Sequence, residues 1–353
     1  MPDGSGAPLS KKSTNMAADP QKLKMVKDLG RPEICFSVAR IPNTSRLFYG
    51  ASDAKVYHVD FAAEKLEPQA MEGHSSYVSG VALAGPNLIS GSYDCSLIWW
   101  NAETRQVIKK VENAHSKWIR NLVATPDGKY VISVADDMLA KVWNAATGDL
   151  VHTLVDHQAL TPHHYPSMLF ACNTSADSTL LATGDKVGHV VIWDIATGKK
   201  LGSIEAVGLY TWDPSQRRHS IGGVRSVAFS PDNKLVAAGG VGKIGNIDHL
   251  DGPSRLEVFD WKENKKVYET EDSKFKGLIE RIAFEPQGQW LVAAGGDHAG
   301  FINFYTPADG KIIKQEKFPA HVHSFVMNEA NDTLFLAAHG KVSRWEFKAE
   351  GTA

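Results

Sequence analysis

Fourteen histidines are the residues best suited to chemistry in this 353-residue chain, and at two places they lie close together in sequence. His163-His164 are adjacent and His321-x-His323 are two apart. On an extended strand, alternate residues share a face and neighbours oppose one another. His321 and His323 can therefore converge, whereas His163 and His164 need a loop to do so. Two imidazoles fall short of a transition-metal site without a carboxylate or a third histidine. A second candidate, Gly240-Val241-Gly242-Lys243-Ile244-Gly245, matches G-x-G-x-x-G. A dinucleotide-binding turn needs a helix to begin inside that glycine run, because the helix N-terminus holds the pyrophosphate. Here the chain runs on through NIDHLDGPSR into the apolar LEVF, so the run reads as a strand-to-strand loop. Nucleophile elbows, P-loops, HExxH and CxxCH are absent. No catalytic residue, metal or cofactor is expected.

The elements that must position these residues are legible as a repeat. SLIWWNAETRQV (96–107), LAKVWNAATGDL (139–150), HVVIWDIATGKK (189–200) and RLEVFDWKENKK (255–266) share one grammar: an alternating apolar strand ending in an aromatic, a polar cap, a tight turn and another strand. Weaker copies start at 55, 301 and 341. The aromatic column is Val59, Trp100, Trp143, Trp193, Phe259, Tyr305 and Trp345, at intervals of 41, 43, 50, 66, 46 and 40. Upstream in each unit lies a pair of apolar strands, joined in three of the units by Pro-Asp-Gly, Pro-Asp-Asn or Pro-Gln-Gly. Pro sets φ at the first corner of such a turn, and Gly or Asn tolerates φ > 0 later. Four short strands in about 40 residues form the unit of a radial all-β repeat. Seven units are expected.

With these residues in place, the chain resembles the WD-repeat β-propeller family over about residues 22–348. That family places Gly-His before the first strand, Ser or Thr in the second, Asp in the next turn, and Trp-Asp at the end of the third. His74, Ser90, Asp94 and Trp100 fill the set, as do His115, Ser133, Asp137 and Trp143. The resemblance implies a buried hydrogen-bonded tetrad in each of these repeats. The fourth repeat keeps His157, Thr183 and Trp193 but has Val187 at the Asp position, and His321 falls to the structural histidine of the seventh. Tetrad support is thus expected to be strongest in repeats two and three. The family also closes its ring by lending an N-terminal strand to the last blade. LKMVKDLG (23–30) resembles the outer strands and suits that role. The expected architecture is an all-β, seven-bladed propeller of four-stranded antiparallel blades over residues 21–349, with a disordered tail at 1–20 and a short one at 350–353.

Function is sought where the repeat breaks. HQALTPHHYP (157–166), EAVGLYTWDPSQRRHSIGG (205–223) and VGKIGNIDHLDGPSR (241–255) exceed the family norm and fall on one face of repeats four and five. Long loops on a rigid scaffold are where binding usually resides. Tyr165, Tyr210 and Trp212 supply aromatic anchors, and Arg217, Arg218 and Lys243 positive charge, residue types suited to interfaces. Arg120 and Arg225 align at the start of the innermost strand, near one mouth of the channel. There they suit a partner's carboxylate, or else a salt bridge to a turn Asp such as Asp94 or Asp137. Trp118 and Trp290 are further candidate anchors. The reading is a protein-interaction scaffold that binds a protein or peptide, as a monomer or as a subunit of a larger complex. The alternative is a small-ligand or metal site at the same mouth, drawing on His163, His164, His219, His249, Asp248 and His298.

Composition bounds these readings. Thirty-eight Lys and Arg against 40 Asp and Glu give a net charge of −2, which offers no footprint for nucleic acid or an anionic membrane. Three cysteines without CxxC spacing suit reduced thiols and a cytoplasmic setting. No run of about 18 apolar residues occurs.

Overall fold

In the computed structural model, residues 18–215, 218–246 and 250–347 are described. The chain is an all-β propeller. Five antiparallel sheets each use four strands consecutive in sequence, beginning at Val78–Ala84, Ile119–Ala124, Leu169–Thr174, Ser226–Phe229 and Leu278–Phe284. A sixth sheet has six strands, in the order Val322–Met327, Thr333–Phe347, Leu23–Arg40, Arg46–Ala51, Lys55–Asp60 and Gln69–Glu72. Two long strands make it continuous. The first half of Leu23–Arg40 pairs with the second half of Thr333–Phe347, from Leu23 opposite Phe347 to Gly30 opposite Lys341. Its second half pairs with Arg46–Ala51. No helix among the described residues is long and apolar enough to cross a membrane. Of the tail expected at 1–20, residues 1–17 lie outside the described residues, as does the one at 350–353; residues 18–20 are part of the fold, with Pro20 buried at the start of a short 3-10 turn.

The strands form where alternation and turn chemistry dictate. Asn233 and Gly288 take positive φ in the Pro-Asp-Asn and Pro-Gln-Gly turns, at 59° and 72°. The glycine run at 240–245 leaves the strand Leu235–Val241 and leads to Pro253–Asp260, with no helix in its described part. The stretch 205–223 is more ordered than a loop. It contains a two-stranded sheet, Tyr210–Asp213 with His219–Gly222, because period-two alternation in YTWD and HSIG lets the insertion pair with itself.

Packing is between sheets. Trp99 and Trp143, from successive sheets, meet edge to face at 6.3 Å. Ile192 and Trp261 share one buried cluster across the next boundary but one. Where the chain's two ends meet, Phe61 lies edge to face on Phe335 at 5.9 Å. Leu23 is buried against Trp290, Phe304 and Trp345, and the Trp290 indole donates to the Ala18 carbonyl at 2.9 Å.

Deleting residues 1–30 therefore strips the partner strand from 341–347 and orphans a buried indole. The expected loss is several kcal/mol, on the order of 10 °C in Tm for a chain of this size, together with aggregation through the bared edge. An unchanged melting curve would contradict the pairing.

Candidate functional site

Three buried chains of polar groups hold the second, third and fourth repeats together. His74 Nδ1 lies 2.9 Å from Asp94, His74 Nε2 lies 2.8 Å from Ser90 Oγ, and the Trp100 indole donates to the same Oγ at 2.8 Å. His115, Asp137, Ser133 and Trp143 repeat this at 3.0, 2.7 and 2.9 Å. Only one proton arrangement satisfies every member. An ionised Asp accepts from Nδ1–H, which leaves Nε2 to accept from the Ser hydroxyl, whose oxygen accepts from Trp.

The fourth repeat corrects the expectation at Val187. His157 Nδ1 meets Asp185 at 2.9 Å, Nε2 meets Thr183 at 2.8 Å, and the Trp193 indole donates to Thr183 at 2.9 Å. Asp185 sits two residues earlier than the family spacing predicts. It compensates by also accepting from the backbone N–H groups of Val187 and His189. His321 is a second correction. The backbone bond from His339 to the His321 carbonyl matches those from Tyr93 to Tyr77 and from Asp136 to Trp118. His321 thus occupies the column of Tyr77 and Trp118 at the cavity mouth and joins no tetrad.

The innermost strands share a device that composes the mouth. Register shifts fall at Phe36, Ser79, Arg120, Phe170, Glu280 and His323: at the second residue of four of these strands, at the third of Leu278–Phe284, and inside the long strand Leu23–Arg40. A bulge re-aims one side chain. All six, with Arg225 just ahead of its strand, line a central cavity of about 220 Å³. Their repetition at one strand position was visible in the sequence, but only Arg120 and Arg225 were read from it.

Charge at the mouth is unbalanced. Arg120 makes a bidentate pair with Asp136 at 2.7 Å, rather than with Asp94 or Asp137, and donates to the Tyr93 hydroxyl at 2.7 Å. Arg225 stacks on Phe170 at 3.8 Å, and its buried Nε has no hydrogen-bond partner. Lys186, which the sequence reading missed, lies 4.4 Å over Tyr165. Burial and then the nearby Arg225 charge push the Lys186 ammonium down to about 8. Gly223 makes this crowding possible, since at φ 99° a Cβ there would sit 2.6 Å from the Lys186 Cα. Neither Lys186 nor Arg225 has an ion pair among the described residues.

Aromatic rings border these cations. Trp118, 50% exposed, stacks on Tyr93 at 4.8 Å, and Tyr93 contacts Tyr77, 45% exposed, which contacts Phe36. The insertions extend the border. His163 lies flat on Trp212 at 4.4 Å and near Tyr210 at 6.0 Å, and Tyr165 meets His219 edge-on. Of the expected anchors, the structure gathers Tyr165, Tyr210 and Trp212. It leaves Arg218 and Lys243 exposed nearby, while Arg217, Asp248 and His249 lie outside the described residues. Trp290 is core. His298 is a solvent-facing side chain, 94% exposed. Burial pushes the Cys35 and Cys172 thiols up to about 12, so neither is a nucleophile at neutral pH.

Comparison with known proteins agrees with the repeat reading. The family model described as "WD domain, G-beta repeat" (WD40) matches residues 67–101, 106–144 and 213–244. Nuclear distribution protein PAC1-2 of Uncinocarpus reesii is 28% identical over 175 residues, covering 46% of this chain and 35% of that protein. Eukaryotic translation initiation factor 3 subunit I of Candida albicans is 25% identical over 206 residues, covering 56% and 51%. Apoptotic protease-activating factor 1 of Rattus norvegicus is 29% identical over 167 residues, covering 47% and 12%. The likeness thus spans about half or less of each relative.

Two measurements check the polar chains. Ser133→Ala orphans the Trp143 indole and His115 Nε2 together, for an expected loss of about 2–4 kcal/mol. Asp185→Ala should cost a comparable amount in denaturant titration, whereas Val187→Ala should change little. Acidification should also weaken the fold. Burial lowers the His115 value below the ordinary 6.5 and outweighs the nearby Asp137. Burial pulls Asp137 upward, but the hydrogen bond from His115 overrides it and holds the carboxyl below 3.8. Both groups bind protons more readily when unfolded, so Tm should fall as pH drops below about 6.5, and further through the carboxylate range.

Proposed function

We propose that this WD-repeat β-propeller is a non-enzymatic scaffold that holds a protein or peptide partner on the loop-rich face of repeats four and five. The unit is residues 21–349, read as seven blades with the N-terminal strand completing the last. Support for that count comes from the pairing of Leu23–Gly30 with 341–347 and from the cluster joining Tyr49 and Phe61 to Phe335 and Val342. A cytoplasmic setting fits the free cysteines. One of the similar proteins is by name a subunit of a larger factor, in keeping with an assembly role here.

The observation that carries the reading is the juxtaposition of Lys186 and Arg225, which make no ion pair among the described residues, with the Tyr165, Tyr210 and Trp212 rings. A partner presenting an acidic side chain next to an apolar one satisfies both. The carboxylate or similar anion takes the buried Arg225 guanidinium, and the aromatic rim supplies rigid contact area at low entropic cost. Arg120, tied to Asp136, also lies over the Phe170 ring, at 5.5 Å.

An acidic peptide library displayed against the purified protein tests this directly. Selected peptides should share an Asp or Glu beside an aromatic or aliphatic residue. Their affinity should fall at least about tenfold in Arg225→Ala and in Tyr210→Ala/Trp212→Ala, and decline with added salt. Equal retention of the same peptides by wild type and both variants would move the binding face elsewhere.

A further inference from the structure

The opposite arc of the same mouth carries different chemistry. His321 and His323 come from the strand end at 321–327 and Glu280 from the neighbouring inner strand, and their ligand atoms all lie within 4.8 Å of one another. We infer that Glu280, His321 and His323 form a binding site for one divalent transition-metal ion of the zinc class, at the rim of the central cavity.

The first support is convergence. Bulges at 280 and 323 turn Glu280 and His323 towards the cavity, and the His321 and His323 rings lie 4.4 Å apart at 14°, so a modest splay of the two planes brings both in-plane nitrogen lone pairs onto one ion. The missing carboxylate, without which two histidines are too few, therefore comes from a different repeat. A zinc ion with bonds of about 2.0–2.2 Å needs ligand atoms roughly 3.4 Å apart. Glu280 and His321 Nε2 already stand at 3.4 Å. The remaining pairs lie within 4.8 Å, so bringing them to that spacing takes at most about 1.4 Å, a shift that side-chain torsions can supply.

The second support is unmet hydrogen bonding. His74, His115 and His157 each use both ring nitrogens in a tetrad. By contrast, His323 Nε2 is buried with no hydrogen-bond partner, and His321 Nε2 meets only the Glu280 carboxylate, at 3.4 Å. His321 is 8% exposed. Buried polar atoms in native folds are completed by protein groups, ordered water, a ligand or an ion, and a nitrogen facing a carboxylate and a second imidazole suits an ion. Imidazole Nε2 is a usual zinc donor, and two histidines with one carboxylate leave an open position towards the cavity. The exposed His339, its ring 6.3 Å from that of His323, is the nearest further imidazole. Arg225 opposes the site. Its charge acts on Glu280, so removing it should favour a dication.

The test uses the full chain after metal stripping, titrated with Zn²⁺ and separately with Co²⁺ by calorimetry and visible absorption. One ion per chain is expected, with Co²⁺ giving the intense bands of a low-symmetry N/O site. Glu280→Gln and His323→Ala should each weaken binding about 10- to 100-fold or more. Arg225→Ala should tighten it, and His298→Ala should leave it unchanged. The wild-type titration stands whether or not a variant folds. Absence of saturable binding to wild type overturns the inference, as does binding that survives in the Glu280→Gln/His323→Ala double variant or that is lost instead on His163→Ala.

Discussion

A sheet of four short strands with apolar residues on both faces cannot stand alone in water, and this constraint organises the molecule. Each sheet needs a neighbour on either side to remove those faces from solvent. The buried clusters obey it. Val123, Ile132 and Val142 of one sheet pack with Leu181, Val191 and Trp193 of the next. Val236 and Phe259 share a cluster with Ala182 and Ile192 of the preceding sheet. The same demand draws Leu23 from one end of the chain under Trp290 and Trp345 near the other.

Apolar packing of this kind is tolerant of register, and the polar chains supply what it lacks. A buried imidazole with both nitrogens engaged accepts only one placement of the loop before the first strand, the hydroxyl of the second and the indole of the third. A misplaced strand leaves several buried groups unpaired at once. Asp185 shows that the requirement is geometric rather than positional. A carboxylate two residues early serves because the turn folds its oxygen to the same point and presents backbone N–H groups to hold it.

The mouth follows a different logic. Bulges at one recurring strand position aim a single side chain per repeat into a common space. Chemistry there is set by which residues the repeats contribute, with no tie to the tetrads. Repeats two to five supply aromatic and cationic groups around Phe170. The inner strand Leu278–Phe284 and the segment 321–327 supply a carboxylate and two imidazoles. One rim thereby carries a cationic, aromatic arc and an arc of carboxylate and imidazole across a cavity of about 220 Å³.

Strand, turn and tetrad were legible in the sequence because they rest on local rules: period-two alternation, positive φ at Asn233 and Gly288, and a hydroxyl ten residues before its Trp. By itself the sequence determined a repeated all-β chain, two complete tetrads and a cluster of long loops in repeats four and five. Only the tertiary structure decided that Asp185 replaces Val187, that His321 belongs to the mouth, and that Lys186 crowds Arg225. It also decided that Glu280 meets His321 and His323. These contacts join residues from separate turns or separate repeats. Backbone sterics fix a strand from its own residues, but a neighbour across a sheet boundary is set by how one sheet stacks on the next.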